Sequence, residues 1–425
     1  MSAREQWTAR FDALVQSRNE PAWMTALRKK AWDRFLELGL PTRRDERWKY
    51  TSLLAFGRNP FVTPERITSE LSFEVDGIEA VATLSHINGI THLGSSDLGR
   101  LGVEITVRPL AEAWEDAREA LERRCEAIQD GVQALQFAFA TDGAIVFIGN
   151  DVEMTAPIRL TRRTDTPNAF APVFDHIVVG RHAQALLIER YEGSATASTS
   201  GGICDIVVKD GANFEHVIVQ EEPHDVWHVR SVDVDIARDA SYRAFTLAAG
   251  GRLGRHEHQA RFSGEGVQAN LDALTLGKGS QVIDHCTVLN HALPNGKSHQ
   301  LNRVILDDKA HGIFNGTVVV AIDAQQTDAF QMNNNLLLSD EARADTRPQL
   351  EIAADDVKCG HGATLGQLND DEIFYLMSRA IPKNVARRML LGGFASEAVD
   401  TIQSPALKSL VATRVRRWLD QLDAK

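Results

Sequence analysis

Cysteine is scarce in this chain: it occurs four times in 425 residues, and no two cysteines form a CxxC pair. The four thiols are far apart, at Cys125, Cys204, Cys286 and Cys359. This spacing excludes a disulfide framework and favours a compartment in which thiols stay reduced. Long apolar runs are also missing, because none approaches the ~18–20 residues that a membrane-spanning helix needs. The polar N-terminal stretch lacks the hydrophobic core of a signal peptide. We therefore expect a cytoplasmic protein that does not associate with membranes.

An excess of positive charge is absent as well. The chain has 46 Lys and Arg against 58 Asp and Glu, a formal net charge of −12. Phosphate backbones are bound by clustered cations, so this balance argues against a nucleic-acid partner. Hydrophobic residues make up 43% of the chain, enough to bury a core and to make intrinsic disorder improbable. The length suits two to four domains, or one large β architecture with appendages.

The first part of the chain has helical patterns. A helix is predicted from Thr25 to Gly39, where apolar residues recur at helical spacing, and Gly39 and Pro41 end it. Its predicted apolar face consists of Leu27, Ala31, Phe35 and Leu38. A second helical stretch is predicted roughly from Leu110 to Gln136. Four tryptophans are predicted to anchor this region in a core or interface, namely Trp7, Trp23, Trp32 and Trp48.

From about Phe137 to Leu365 the pattern changes to short, β-branched runs bounded by turn residues, which is typical of strands. A polar turn ending in a small residue recurs in this segment. The small residues are Ala183, Ala212, Ala240, Ser280 and Ala310, at intervals of 29, 28, 40 and 30. A period near thirty without helices favours stacked β coils, and the long interval suggests an inserted loop at Gly250–Gly254. An ordinary β-sandwich with regular hairpins is the alternative.

After Leu365 the pattern is helical again. Asn369 with Glu372 resembles a capping box, and Ser404-Pro405 begins a last helix. The apolar face of that helix is predicted to be Leu407, Val411, Val415, Trp418 and Leu422. Eight Lys or Arg lie between Arg379 and Arg417. This basic surface is either a docking face for an acidic partner or an ordinary solvated helix face.

Two motifs suggest chemistry but fit it poorly. Asn295-Gly296-Lys297-Ser298 resembles part of a phosphate-binding loop, but His291 stands where that loop needs glycine, so Pro294-Asn295-Gly296 is interpreted as a turn. His256 and His258, two apart on a predicted strand, resemble half of a cupin-like metal site, with His299 as a further candidate ligand. The glutamate expected after them is missing, so polar residues on a solvated strand face remain the simpler interpretation.

The third motif is Cys359-Gly360-His361. In an extended strand, Cys359 and His361 project from the same side, and thiolate with imidazole suits iron or zinc. Lys358 is expected to favour the thiolate modestly. Two ligands cannot complete a four-coordinate site, so the others would come from elsewhere, for instance from a second chain. A buried, inert cysteine beside a surface histidine is the alternative.

Four segments carry a resemblance to a known family: Asp345–Pro382, Pro41–Leu53, Phe314–Gly316 and Asp328–Asn334. They resemble the SufB/SufD family of iron–sulfur cluster assembly scaffolds, and the Cys359–Thr364 arrangement is closest to its SufD branch. The resemblance spans nearly the whole chain. One departure is Ala380, where many relatives carry glycine.

The resemblance implies a mainly β fold: a right-handed parallel β-helix at 137–366, an N-terminal helical region with a short mixed segment at 1–136, and a C-terminal helical domain at 367–425. It implies a non-enzymatic scaffold subunit that pairs with SufB through the β-helix. Two copies of the SufC ATPase would complete the complex and supply all ATPase activity. An isolated chain is expected to be capable of forming a homodimer.

The resemblance also implies site residues. His361, and less strongly Cys359, would help to hold a nascent iron–sulfur cluster at the interface with SufB. That cluster is expected to be transient and shared, with none bound tightly to the isolated chain. SufC is expected to dock on the C-terminal helices, at Arg379, Lys383, Arg387 and Arg388. The competing hypotheses are a cupin-like metalloenzyme that uses His256, His258 and His299, and a carbohydrate-active β-helix enzyme.

Overall fold

The structure, a computed structural model, describes residues 3–18, 20–64, 66–67, 77–98 and 104–422. Within these ranges the α-helices are α1 (Ala3–Ser17), α2 (Ala22–Leu38), α3 (Leu54–Arg58), α4 (Arg118–Glu126), α5 (Gly131–Phe139), α6 (Asp370–Ser378), α7 (Lys383–Val399) and α8 (Pro405–Leu422). The first strands are β1 (Ala82–Ile87), β2 (Ile90–Thr91), β3 (Ile105–Pro109), β4 (Ala144–Ile148), β5 (Ile158–Thr164), β6 (Val173–Val179), β7 (Gln184–Gly193), β8 (Thr199–Val208), β9 (Asn213–Gln220) and β10 (Trp227–Ile236). The remaining strands are β11 (Ser241–Ala248), β12 (Leu253–Phe262), β13 (Gln268–Gly277), β14 (Val282–His291), β15 (Lys297–Leu306), β16 (His311–Val320), β17 (Thr327–Leu337), β18 (Arg343–Ile352) and β19 (Val357–Gly366). None of the helices in these ranges is both long and apolar enough to cross a membrane.

The strands wind into a parallel β-helix, which confirms the predicted fold class. Successive strands alternate between two sheets, so β5 pairs with β7 and β6 with β8, and so on to β17 with β19 and β16 with β18. One sheet has ten described strands and ends at β19, while the other has nine and ends at β18. Because β1 and β3 also join these sheets, strands that precede residue 137 extend the β-helix. The domain boundaries at 136 and 366 stay a proposal.

The repeat is more regular than the sequence suggested. The prediction of an inserted loop at Gly250–Gly254 is wrong. At one corner of the coil the backbone N–H of Asn213, Ser241, Gln268 and Lys297 donates to the carbonyl of residue 183, 212, 240 and 267, respectively. The residues equivalent to Ala240 are therefore Val267 and then Gly296. Ser280 and Ala310 belong to the opposite corner, where Gly250 and Gly251 form an ordinary turn before β12. The 40-residue interval arose because the turns of two corners were counted as one series.

Alternation along each strand separates the interior of the coil from its outer faces. The interior is apolar along most rungs, with residues such as Ile206, Val234 and Phe262 buried in one cluster. A second cluster joins the outside of the nine-stranded sheet to the N-terminal helices. A third joins the outside of the ten-stranded sheet to α7 and α8. The β-helix is thus covered by helices on both flanks.

The N-terminal helices follow their predictions in part. Helix α2 is present, but its buried face is Met24, Arg28, Ala31, Trp32 and Phe35. The predicted Leu38 is exposed, because Gly39 turns the chain away with a φ of 64°. The start of α5 lies so close to this turn that a Cβ at Gly131 would meet the Gly39 carbonyl oxygen at 1.7 Å. Of the four tryptophans, Trp7, Trp32 and Trp48 are buried as predicted, and Trp23 is partly exposed, its indole donating to Glu115 at 2.6 Å.

The single helical stretch predicted from Leu110 to Gln136 is wrong in detail. It consists of two short 3₁₀ turns and then α4 and α5, which are separate helices. The break has a local cause: Asp130 caps a new helix by accepting hydrogen bonds from the backbone N–H of Val132 and Gln133 at 2.9 and 3.0 Å. Asp130 also accepts from the Trp48 indole at 3.0 Å, so this cap ties α5 to the Pro41–Leu53 segment.

Two of the C-terminal helices begin at their predicted start signals. Asn369 caps α6 by accepting from the backbone N–H of Asp371 at 2.9 Å. Helix α8 begins at Pro405, and its predicted face is buried from Leu407 to Trp418, with Leu422 partly buried. Because this face lies on the outside of the ten-stranded sheet, the C-terminal helices are fixed relative to the last rungs.

Candidate functional site

Cys359 and His361 lie on β19, the last strand of the ten-stranded sheet. Their register partners on β17 are Ala329 and Gln331, which are buried inside the coil. Side chains in register on neighbouring parallel strands project from the same face, so Cys359 and His361 also lie on the inner face of the sheet. Among the described residues no strand follows β19 in this sheet, and His361 is exposed while Cys359 is half-buried. The predicted pairing of these two side chains on one side of a strand is therefore present, at the open end of the β-helix.

The prediction that Lys358 favours the thiolate form of Cys359 is wrong. Partial burial raises the pKa of Cys359, and the backbone N–H of Ala329 and the carboxylate of Asp328 modify it in opposite directions. Lys358 precedes Cys359 on the strand and projects from the opposite face, where it is exposed to solvent. The thiol is therefore largely protonated at neutral pH in the isolated chain, and a metal would have to displace its proton.

The strand beneath β19 has a pattern that the sequence analysis missed. On β17 the inward positions are polar, with Gln331, Asn333 and Asn335 buried, while Phe330 on the outside is 40% exposed. Among the residues that the structure describes, neither the amide oxygen nor the amide nitrogen of Gln331 has a hydrogen-bond partner. The same is true of both amide atoms of Gln300, its register partner one rung deeper. Alternating polar residues between Ala329 and Asn335 were the available signal, since a core-facing set is normally apolar.

The last rung also leaves two strand edges open. In the part of the chain that the structure describes, strands β18 and β19 are terminal in their sheets, so each presents one row of backbone N–H and C=O groups that pairs with no described strand. Both strands are ten residues long and mostly exposed or half-buried. Long regular edges of this kind can pair with a strand of another chain.

The four predicted docking residues lie around the junction of α6 and α7. Arg379 and Lys383 are exposed, and Arg387 and Arg388 are half-buried. Arg388 approaches Asp420 of α8 at 3.5 Å, so part of its charge serves to pair the helices. Ala380, just past the end of α6, has a φ of 63° in the left-handed region, a conformation that glycine adopts more readily than alanine.

Large apolar side chains accompany these cations and were missed. They are Phe374, Tyr375, Met377 and Met389, and they are 72%, 56%, 44% and 52% exposed. Met377 follows Ile373 on the same helix, but Ile373 is the buried residue of α6 and Met377 is not. Exposed aromatic and methionine side chains bordered by cations are typical of a surface that binds another protein.

Across the described ranges, one group of side chains is close enough to share a metal ion, namely Asp175, Glu189 and Cys204, with ligand atoms within 4.8 Å of one another. All three are sealed inside the coil, and their charges are already balanced. Arg230 donates to Asp175 at 2.6 Å and to Glu189 at 2.7 Å. Burial alone would raise the pKa of Glu189, but Arg230 and Arg162 outweigh it and hold that pKa well below its usual range. This group is therefore an internal ion-pair cluster, and a polysaccharide could not reach its carboxylates.

The cupin-like site does not form. His256 and His258 are on one face of β12 as predicted, but that face points into the coil. His299 points outward, 3.7 Å from Asp272 on the outer face. The ring of His256 instead lies between those of His228 and His285, at centroid distances of 4.9 and 5.0 Å. Burial, followed by the neighbouring imidazoles, holds the pKa of His256 well below its usual range.

The phosphate-loop interpretation fails as expected. Pro294, Asn295 and Gly296 form the turn between β14 and β15, and Asn295 has a φ of 63°. A strand follows this turn, so no helix N-terminus is available to bind phosphate.

Comparison with known proteins agrees with this architecture. A family described as "SUF system FeS cluster assembly, SufBD core domain" matches residues 164–394, and the "SufBD protein N-terminal region" matches residues 1–160. An iron–sulfur cluster assembly SufBD family protein of Synechocystis is 32% identical over 412 residues, covering 92% of this chain and 90% of the relative. The iron–sulfur cluster assembly protein SufD of Escherichia coli is 29% identical over 437 residues, covering 98% and 97%. That of Bacillus subtilis is 24% identical and covers 95% of both chains. The chain therefore belongs to the SufBD family of iron–sulfur cluster assembly proteins and is a homologue of SufD.

Proposed function

We propose that the chain is a non-enzymatic scaffold subunit of the SUF machinery, in the cytoplasm, in which His361 supplies a ligand to a nascent iron–sulfur cluster shared with SufB. The observation that carries this proposal is the position of His361 beside Cys359 on the inner face of the last rung. A neutral imidazole there has an open side, and a partner that covers the rung would bring the remaining ligands. Because one chain offers at most these two ligands, the cluster is transient and the isolated chain holds none tightly.

SufB is the proposed partner of the last rung. The unpaired edges of β18 and β19 supply backbone donors and acceptors along ten residues each, which a matching β-helix would satisfy. The same edges offer a second copy of this chain a way to form a homodimer when SufB is absent. Covering the rung would remove water from His361 and strengthen its bond to a metal.

SufC is the proposed partner of the α6–α7 surface, and it supplies the ATPase activity. Exposed Phe374 and Tyr375 provide an apolar centre, and Arg379, Lys383, Arg387 and Arg388 provide a cationic border. On a chain of net charge −12 this local positive surface favours an acidic face on the partner.

The experiment that tests the site is co-expression of the chain with SufB and SufC, anaerobic purification, and analysis of iron and sulfide. We expect a three-component complex that carries cluster, and His361→Ala is expected to lose the cluster while keeping the complex. His299→Ala is the matched control, because that histidine faces outward on β15, two rungs from β19, and its loss should leave the cluster content unchanged. A His361→Ala complex with full cluster content would contradict the ligand role. Loss of cluster with both His361→Ala and His299→Ala would show that the loss does not report a ligand role of His361.

The SufC surface is tested separately. The double change Arg379→Glu and Lys383→Glu reverses two exposed charges and is expected to weaken SufC binding while SufB binding persists. Arg416→Glu on α8 is the control, since Arg416 is exposed on the same helical domain but outside the proposed surface. Equal SufC binding by the double variant and the control would refute this docking site.

A further inference from the structure

Gln331 is placed directly behind His361. The two residues are register partners on β17 and β19, so their Cα atoms are about 4.8 Å apart and their side chains project from the same inner face. Gln331 is completely buried, and neither its Oε1 nor its Nε2 has a hydrogen-bond partner among the described residues. Buried amides are almost always paired, so an unpaired one this close to an open site indicates an interaction that completes the site.

Gln300 extends the same arrangement one rung deeper. It is the register partner of Gln331 and is also completely buried, and within the described ranges both of its amide atoms lack a hydrogen-bond partner. Glutamine side chains stacked in register on parallel strands can form a ladder in which each amide N–H donates to the amide oxygen of the next rung. The terminal torsion of glutamine is broad, so turning the amide into this ladder is inexpensive. The column Gln300, Gln331, His361 therefore has one polar group per rung and ends at the imidazole.

We propose that Gln331 is a positioning residue for His361: its Oε1 accepts a hydrogen bond from one ring nitrogen and thereby leaves the other nitrogen unprotonated and directed at the open end. A histidine binds metal through its unprotonated nitrogen, and the partner of its N–H fixes both tautomer and ring orientation. The Gln331 amide N–H, in turn, donates to Gln300. This inference rests on the proposed ligand role of His361, but it concerns the hydrogen bond and not the metal.

Across the coil the Gln331 amide faces Gly316 and Phe314. A Cβ added at Gly316 would lie 3.2 Å from Nε2 of Gln331 and 2.5 Å from Cζ of Phe314, so the Phe314 ring fills this side. Neither of these two neighbours offers a polar side chain, and the polar groups available to the amide are its register partners Gln300 and His361.

The first test measures the tautomer of His361 in the full isolated chain, by two-dimensional NMR of imidazole ¹⁵N with His361→Ala to assign the signal. One tautomer is expected to dominate in the parent protein. Gln331→Leu preserves the bulk of the side chain but removes the acceptor, and it is expected to release the ring into a mixture of both tautomers. Gln349→Leu is the matched control, since Gln349 lies on β18 in register with Thr317, whose side chain faces outward. An unchanged tautomer in Gln331→Leu would overturn the inference.

A second variant protects the test against a folding failure. In Gln331→Glu the carboxylate still accepts from the imidazole N–H, so a single tautomer is expected to persist, and a mixture would overturn the inference. In the complex with SufB and SufC, Gln331→Leu is expected to weaken iron retention about 10–100-fold, as loss of such a hydrogen-bond partner does elsewhere. Iron retention equal to that of Gln349→Leu would also count against it. Failure of the proposed function has a different signature, because His361→Ala would then keep its cluster whatever the tautomer of the parent.

Discussion

His285 and His291 are held neutral inside the β-helix, which makes the stability of the protein depend on pH. Burial lowers the pKa of each to about 4. The ring of His291 packs against Phe262 at a centroid distance of 4.0 Å and exchanges a hydrogen bond with the Ser298 hydroxyl at 2.9 Å. The ring of His285 stacks on His256 and bonds the Thr275 hydroxyl at 3.0 Å.

The sign and size of the effect follow from linkage. An unfolded histidine has a pKa of about 6.5, so below that pH the unfolded chain binds protons that the folded chain refuses. The contribution of these two neutral histidines to the free energy of unfolding is therefore fully present above pH 6.5, and it is lost as the pH falls toward 4. Each of the two histidines is expected to lower the free energy of unfolding by about 2 kcal/mol between pH 7 and pH 5, and by about 3 kcal/mol in all once the pH is below 4.

The perturbation that tests this is His291→Gln, which keeps a hydrogen-bond partner for Ser298 but cannot take up a proton. Urea unfolding at pH 7, 6 and 5 gives the free energy of unfolding of each protein. The variant is expected to be less stable at pH 7, because it loses the ring contact with Phe262, but its further loss down to pH 5 should be about 2 kcal/mol smaller than that of the parent. His182→Gln is the control, since His182 is exposed in a turn. Equal pH dependence of the His291→Gln variant and the parent would refute the reasoning.

Three further outcomes test the core, a helix cap and the thiols. Arg230→Met leaves two buried carboxylates short of a cation and is expected to lower the free energy of unfolding by about 3–5 kcal/mol. Arg238→Met, at an exposed position, is the control and should change it by less than about 0.5 kcal/mol. Similar unfolding midpoints for the two variants would contradict the ion-pair cluster. Asp130→Ala removes the cap of α5 and the acceptor of the Trp48 indole. We expect it to lower the free energy of unfolding by about 1–2 kcal/mol and to shift the tryptophan fluorescence, and an unchanged urea midpoint would argue against the cap. Of the four thiols only Cys359 is half-exposed, so Ellman's reagent should modify one equivalent in the native protein and none in Cys359→Ser; rapid modification of a second thiol would contradict the burial of the others.

Much of the fold was predictable because its signals are local. Strand alternation, the period near thirty, the Asn369 cap and the Ser404-Pro405 helix start each depend on residues close together in sequence. The errors arose where distant residues decide the outcome. Turns at the two corners of the coil have similar sequences, so the series through Ala240 and Ser280 was merged, and only the pairing of strands separates them.

For the site, the sequence by itself determined that Cys359 and His361 share one side of a strand, since alternation depends on nothing beyond neighbouring residues. Which side that is, and what lies behind it, was decided by the tertiary structure. Stacking of β19 on β17 places Gln331 in register with His361, and among the described strands no further rung follows β18 and β19. The same stacking turned His256 and His258 inward and His299 outward, because register between strands about thirty residues apart, and not spacing within one strand, brings side chains together.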